Sequence, residues 1–289
     1  MRRTHGWIAG VLIAGIVASA PLDAAPQRVV STFLCTDEYV FRLLPRDRIA
    51  ALSDLAGNHP PVPPVVSTMA DAVDAARVPL IVPSAETIAM KKPDLVVMYR
   101  GTDPRVEAEL RRVGIPVLAV PWANSLKDIR DVTRMLGDKL GAPDRAAALL
   151  KTMEATLAEA RALAPKPPVE TLIYEPNGYA TTGGVADEIM QAAGLRNAAA
   201  DMHPTRLGRV PVEAVIADPP ELLILNTARE RATAQADLVL QNPALRALKG
   251  KSSIVRADLK PLYCPGPWSA EAALTLAELG RLARGRHAP

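Results

Sequence analysis

Two cysteines, a handful of aromatic rings and several loop arginines are the side chains in this 289-residue sequence with the most to offer chemically. Cys35 opens a helical pattern and Cys264 lies in the loop "LYCPGPW". In an exported chain an isolated pair is first a disulfide candidate. The alternatives are thiols that face a soft metal or a ligand, and unrelated buried cysteines. The aromatic side chains beyond residue 24 number nine, so their positions carry information. Tyr99 follows an apolar run directly, Trp122 lies just past another, Tyr179 follows a third, and Tyr263 and Trp268 sit in the last loop. Polar partners in the same loops are Arg100, Asn124, Asn177, Arg206, Arg209 and Asn226. Arginine suits carboxylate or phosphate groups through paired donors, and flat rings suit a flat or apolar molecule.

Catalytic patterns are scarce. The four histidines are His5, His59, His203 and His287, and neither a zinc-protease helix motif nor a nucleophile elbow is present. A thiol-dependent enzyme using Cys35, with His59 or His203 as base, is the catalytic alternative. Bound zinc or manganese calls for several converging histidines and carboxylates, and histidine is too sparse for that. The segment "EPNGYATTGG" is glycine-rich but lacks the lysine and hydroxyl of a phosphate loop. Neither a resident cofactor nor a metal site is expected.

The elements that must position these residues follow from the apolar pattern. Arg2 and Arg3 precede an apolar run from Trp7 to Val17, with small residues to Ala24, which reads as a cleavable signal peptide over 1–24. Without Arg2, Arg3 and Asp23 the chain carries 32 basic and 30 acidic residues, a balance that gives no electrostatic case for nucleic acid. Short apolar runs then alternate with helical patterns, the arrangement of a mostly parallel α/β protein. Strands are expected at Val29 to Thr32, Ile49 to Leu52, Leu95 to Met98, Val117 to Val120, Thr171 to Tyr174, Leu222 to Leu225 and Ser253 to Arg256.

An internal repeat sets the plan. "ETIAMKKPDLVVM" from Glu86 matches "EAVIADPPELLIL" from Glu213, each a helix closed by proline and followed by a buried strand. Between the copies, "PDRAAALLKTMEATLAEARALAP" reads as one long helix with proline in its opening turn and an apolar stripe through Leu149, Met153 and Leu157. The expected domains are an N-terminal lobe over 27–142, an interlobe helix over 143–165 and a C-terminal lobe over 169–289. Ligands of open α/β sheets bind outside the carboxyl ends of the strands, where the rings named above fall.

Taken in order, "RVVSTFLCTDEY", "KKPDLVVMYRG", "RRVGIPVLAVPWANSLKDI", "AAGLRNAA" and "NPALRALKGKSSIVRAD" resemble the class III periplasmic binding proteins, which serve cobalamin, haem and ferric-siderophore importers. The resemblance spans nearly all of the chain beyond the signal segment. It implies two Rossmann-like lobes joined by one long helix, a ligand cleft between them, and a monomer in the periplasm that delivers a metal chelate to the permease dimer of an ABC transporter. It also implies that Glu86 and Glu213 dock that permease. The ligand would meet Cys35, Tyr99, Arg100, Trp122, Asn177, Tyr179, Arg206, Arg209, Tyr263, Cys264 and Trp268. The family register puts both cysteines near the cleft, one on each lobe, where a bond would staple the lobes. Tyr99 falls where the cobalamin binder carries a cleft aromatic, but its other aromatic positions map to Leu80 and Leu207; that departure, together with the low histidine count, favours a siderophore-like chelate over cobalamin or haem.

Overall fold

The structure is a computed structural model and describes residues 25–59, 65–202, 207–228, 235–248 and 250–286. The signal segment and Arg206 lie outside the described residues. The first half of the chain runs β1 (Val29–Ser31), α1 (Leu34–Leu43), β2 (Ile49–Ser53), α2 (Ala70–Ala75), β3 (Leu80–Ile81), α3 (Ala85–Met90), β4 (Leu95–Tyr99), α4 (Pro104–Arg112), β5 (Val117–Val120) and α5 (Leu126–Lys139). A long α6 (Pro143–Leu163) follows. The second half continues with β6 (Val169–Tyr174), β7 (Tyr179–Thr181), α7 (Gly184–Ala192), β8 (Leu195–Asn197), α8 (Ala199–Met202), β9 (Leu207–Arg209), α9 (Val212–Ala217), β10 (Leu222–Asn226), β11 (Ser253–Ala257) and α10 (Ala270–Arg286).

Among the described residues two parallel sheets form, in the order β3-β2-β1-β4-β5 and β11-β10-β6-β8. An antiparallel pair, β7 with β9, stands apart. The apolar runs become central strands because both faces of a parallel sheet are covered by helices: β10 is buried at every residue, and β4 at all but its first. The internal repeat is realised as α3–β4 in one half and α9–β10 in the other, with β4 between β1 and β5 and β10 between β6 and β11. Local sequence starts three of the first-half helices. Ser84 and Thr87 form a capping box on α3, Asp103 caps α4 ahead of Pro104, and Ser125 caps α5 by accepting from Asp128 N at 3.0 Å.

At 1.5 Å per residue the 21 residues of α6 span about 32 Å. Its buried side chains divide between two cores: Ala146 packs with the first sheet's cluster, while Met153, Leu157 and Ala160 pack with the second's. The halves also interpenetrate. Ala123, Leu126 and Ile129 of the first half enter the second half's core, and Cys264 and Trp268 of the second half enter the first's. Glu188 on α7 accepts from Leu126 N at 2.7 Å, so an acid of one lobe caps a helix of the other. Large rigid-body separation of the lobes would expose these apolar side chains, which disfavours it.

Candidate functional site

Cys35 stands four residues beyond the end of β1, and Cys264 seven beyond the end of β11. The two are joined as a disulfide, with Cα atoms 4.9 Å apart and a separation of 229 positions in sequence. That bond ties the chain beyond the carboxyl end of β1 to the loop beyond the carboxyl end of β11. The Tyr39 hydroxyl donates to Pro265 O at 3.3 Å and fixes the same loop to α1.

On the first lobe, the wall beyond β4 and β5 is a ring stack. Trp122 lies flat on Tyr99, with centroids 4.1 Å apart and planes 4° from parallel, and Phe33 meets both rings edge-on at 5.8 and 5.9 Å. Trp122 is 42% exposed and Tyr99 is fully buried, so Trp122 alone of the pair presents a ring face to solvent. Burial pushes the Tyr99 phenol up, which keeps it neutral. Arg100, next along the chain, is exposed.

The second lobe's wall is polar. The Tyr263 hydroxyl donates to Glu175 Oε2 at 2.9 Å, and Asn226 Nδ2 donates to Glu175 Oε1 at 3.2 Å. Asn226 is itself buried and its Oδ1 accepts from Leu259 N and Ala228 N, so it orders the ends of β6, β10 and β11 around one carboxylate. Beyond Glu175 the chain turns tightly at Asn177 and Gly178, both with positive φ, the pairing an Asn-Gly turn needs. A Cβ on Gly178 would sit 2.9 Å from the Tyr174 hydroxyl. The turn delivers β7, where the Arg209 guanidinium lies 5.1 Å over the half-buried Tyr179 ring.

Several sequence expectations are corrected by this geometry. Tyr99 is covered by Trp122, so it supports the wall instead of facing a ligand. Trp268 is 4% exposed; its ring packs edge-on against Tyr39 at 4.8 Å, and the Arg42 guanidinium covers it at 4.5 Å, because the disulfide draws the last loop into the first lobe's core. Cys35 and Cys264 are buried and bonded to each other, which removes both the ligand-facing thiols and the thiol nucleophile of an enzyme reading. Trp122, Arg100 and Tyr263 lie in loops or turns, Asn177 in the tight turn before β7, and Tyr179 and Arg209 on the paired strands β7 and β9. Glu175 and Phe33 went unnoticed in the sequence. Glu175 is marked only by its place after a strand, since its partner Tyr263 is 88 residues away.

Glu86 and Glu213 are exposed, each the second residue of a six-residue helix in the repeat.

A family model described as "Periplasmic binding protein" matches residues 56–251. No curated protein matches the chain. Among solved structures, the periplasmic heme-binding protein RhuT from Roseiflexus sp. RS-1 is 25% identical, with 89% of this chain and 98% of that one covered at a TM-score of 0.68. A protein of an ABC-type Fe3+-hydroxamate transport system from Saccharomonospora viridis is 23% identical, with coverage of 89% and 94% and a TM-score of 0.66. The periplasmic vitamin B12 binding protein BtuF of Vibrio cholerae is 17% identical, with coverage of 90% and 98% and a TM-score of 0.64. The last two are likenesses of fold.

Proposed function

The chain belongs to the periplasmic binding protein family, and on that premise we propose that it captures a metal chelate between its lobes and delivers it to the permease of an ABC importer. The observation that carries the reading is the exposed Trp122 ring stacked on Tyr99 beyond β4 and β5, together with the Glu175, Asn226 and Tyr263 cluster beyond β6, β10 and β11. An exposed indole backed by a buried ring is a rigid platform for a large ligand, and a carboxylate and hydroxyl on the other lobe are groups that could orient it. In this reading residues 1–24 export the chain to the periplasm and are removed, and the protein works as a monomer without a resident cofactor.

The cargo we propose is a ferric-siderophore-like chelate. Its support is the polar second wall, together with leucine at 80 and 207 where the cobalamin-type rings would stand. Haem is the second reading, favoured by the likeness to the heme-binding RhuT. Delivery rests on Glu86 and Glu213, two exposed carboxylates at equivalent places of a pseudo-symmetric chain, suited to arginines of a two-fold partner.

A thermal-shift panel of ferric siderophores, haem and cobalamin tests the proposal. A ligand that binds only the folded state at about 100 times its Kd adds about 2.7 kcal/mol. For a chain of this size that is a rise of about 5 °C in Tm. A panel in which no chelate raises the Tm overturns the ligand class.

A further inference from the structure

A cavity of about 520 Å³ opens between the segment after β2 on the first lobe and the segment after β11 on the second. Its lining is mixed: Asn58, Ser67, Thr68 and Asp71 from one lobe and Asp258 and Lys260 from the other supply polar groups, Val65, Met69 and Pro261 supply apolar ones, and none of the rings described above takes part. We infer that this cavity is a second compartment of the ligand cleft, and that its charged side chains select chelates whose periphery carries a positive charge or N–H donors. The inference rests on the proposed capture of a metal chelate and names the chemistry of the part that Trp122 does not touch.

Two features set this cavity apart from an incidental gap. First, its wall is held by a buried ion pair. Glu38 is 1% exposed, pairs with Arg42, and accepts from Thr68 N at 2.8 Å and from Thr68 Oγ1 at 2.7 Å. Arg42 donates in turn to Thr68 Oγ1 at 2.9 Å while lying over the Trp268 ring, so one guanidinium ties the wall to the loop inserted from the other lobe. Burying a carboxylate is unfavourable unless it is paired and fully hydrogen-bonded, and here that arrangement is used to fix a segment at the cavity's edge. Second, the charges at the lining are unequal. Lys260 pairs with Asp258 at 3.3 Å, whereas Asp71 takes the Asn58 side-chain amide at 2.7 Å, a neutral donor. Among the described lining residues two carboxylates accompany one ammonium. Such a lining favours a ligand that brings donors and opposes one that brings carboxylates.

The experiment compares two ligands that differ only in charge: a ferric trihydroxamate with a free primary amine, and the same chelate with that amine acetylated. Titration calorimetry of the full exported protein with each should show the ammonium form binding about tenfold more tightly. Asp71→Asn with Asp258→Asn should bring the ratio near one while the acetylated chelate's Kd changes less than twofold. Circular dichroism and Tm check that the double variant keeps its fold, and the single variant Asp71→Asn should lower the ratio on its own. Equal affinities in the wild type, or equal weakening of both ligands in the variant, overturn this inference and leave chelate capture standing. If neither these ligands nor any chelate of the thermal-shift panel binds, chelate capture and this inference fail together.

Discussion

Removing the bond between Cys35 and Cys264 tests the physical picture of the lobes most sharply. The cross-link closes a loop of 229 residues, nearly the whole folded chain. In the chain-entropy account such a closure lowers the entropy of the unfolded ensemble enough to stabilise the native state by about 5 kcal/mol at 25 °C. At about 2.1 cal/mol/K per residue over roughly 265 residues, the unfolding entropy is about 0.56 kcal/mol/K, so the expected loss is about 9 °C in Tm. The assay is urea and thermal unfolding of the wild type with and without reductant, alongside Cys35→Ala/Cys264→Ala. Both should lose midpoint, and the urea m-value should rise because an uncrosslinked unfolded chain exposes more surface. The double alanine variant loses somewhat more than reduction does, since both sulfurs are buried in the first lobe's core. A loss below about 1 kcal/mol on reduction, or two free thiols in the untreated protein, would refute the reasoning.

Further outcomes are expected elsewhere. Asp37 is fully buried, and burial pushes its carboxyl up to about 7 even though Ser31 and Ser53 hydrogen bonds pull it back. The folded state therefore holds a proton that the unfolded chain has released, so stability should be highest below about pH 4 for this group and fall by ~4 kcal/mol as pH rises to 7; urea midpoints across that range should lose this slope in Asp37→Asn. Trp122→Ala should weaken chelate binding about tenfold in titration calorimetry, whereas Trp122→Phe should retain most of the affinity. Reversing charge at Glu86 and Glu213 together should abolish stimulation of the reconstituted importer while leaving ligand affinity unchanged; lost affinity would show that the two acids support the lobes.

Where a proline closes a helix and an apolar run follows, the sequence reads directly as structure. Leu95 to Met98 and Leu222 to Leu225 become β4 and β10 with one more residue each, and the long pattern from Pro143 becomes α6. Such elements are specified locally, by turn chemistry and by burial on both faces. The short strands β3, β7, β8 and β9 are two or three residues long, and their pairing depends on tertiary neighbours that no local pattern encodes. The same distinction governs the site. That a tryptophan follows β5 at the sheet's carboxyl end is legible, and Trp122 indeed carries an exposed face. Trp268 has the same signature after β11, but the covalent bond from Cys264, four residues before it, to the distant Cys35 decides that it enters a core instead. Glu175 escapes notice because its two partners, Asn226 and Tyr263, lie 51 and 88 residues along the chain.

The central claim, capture of one chelate in the interlobe cleft, is tested most directly by calorimetric titration of the oxidised, exported protein with the chelate that raises its Tm most. The titration should show a single class of site with one chelate per chain, weakened about tenfold by Trp122→Ala. Binding that is absent, that exceeds one chelate per chain without saturating, or that is indifferent to Trp122→Ala would contradict it.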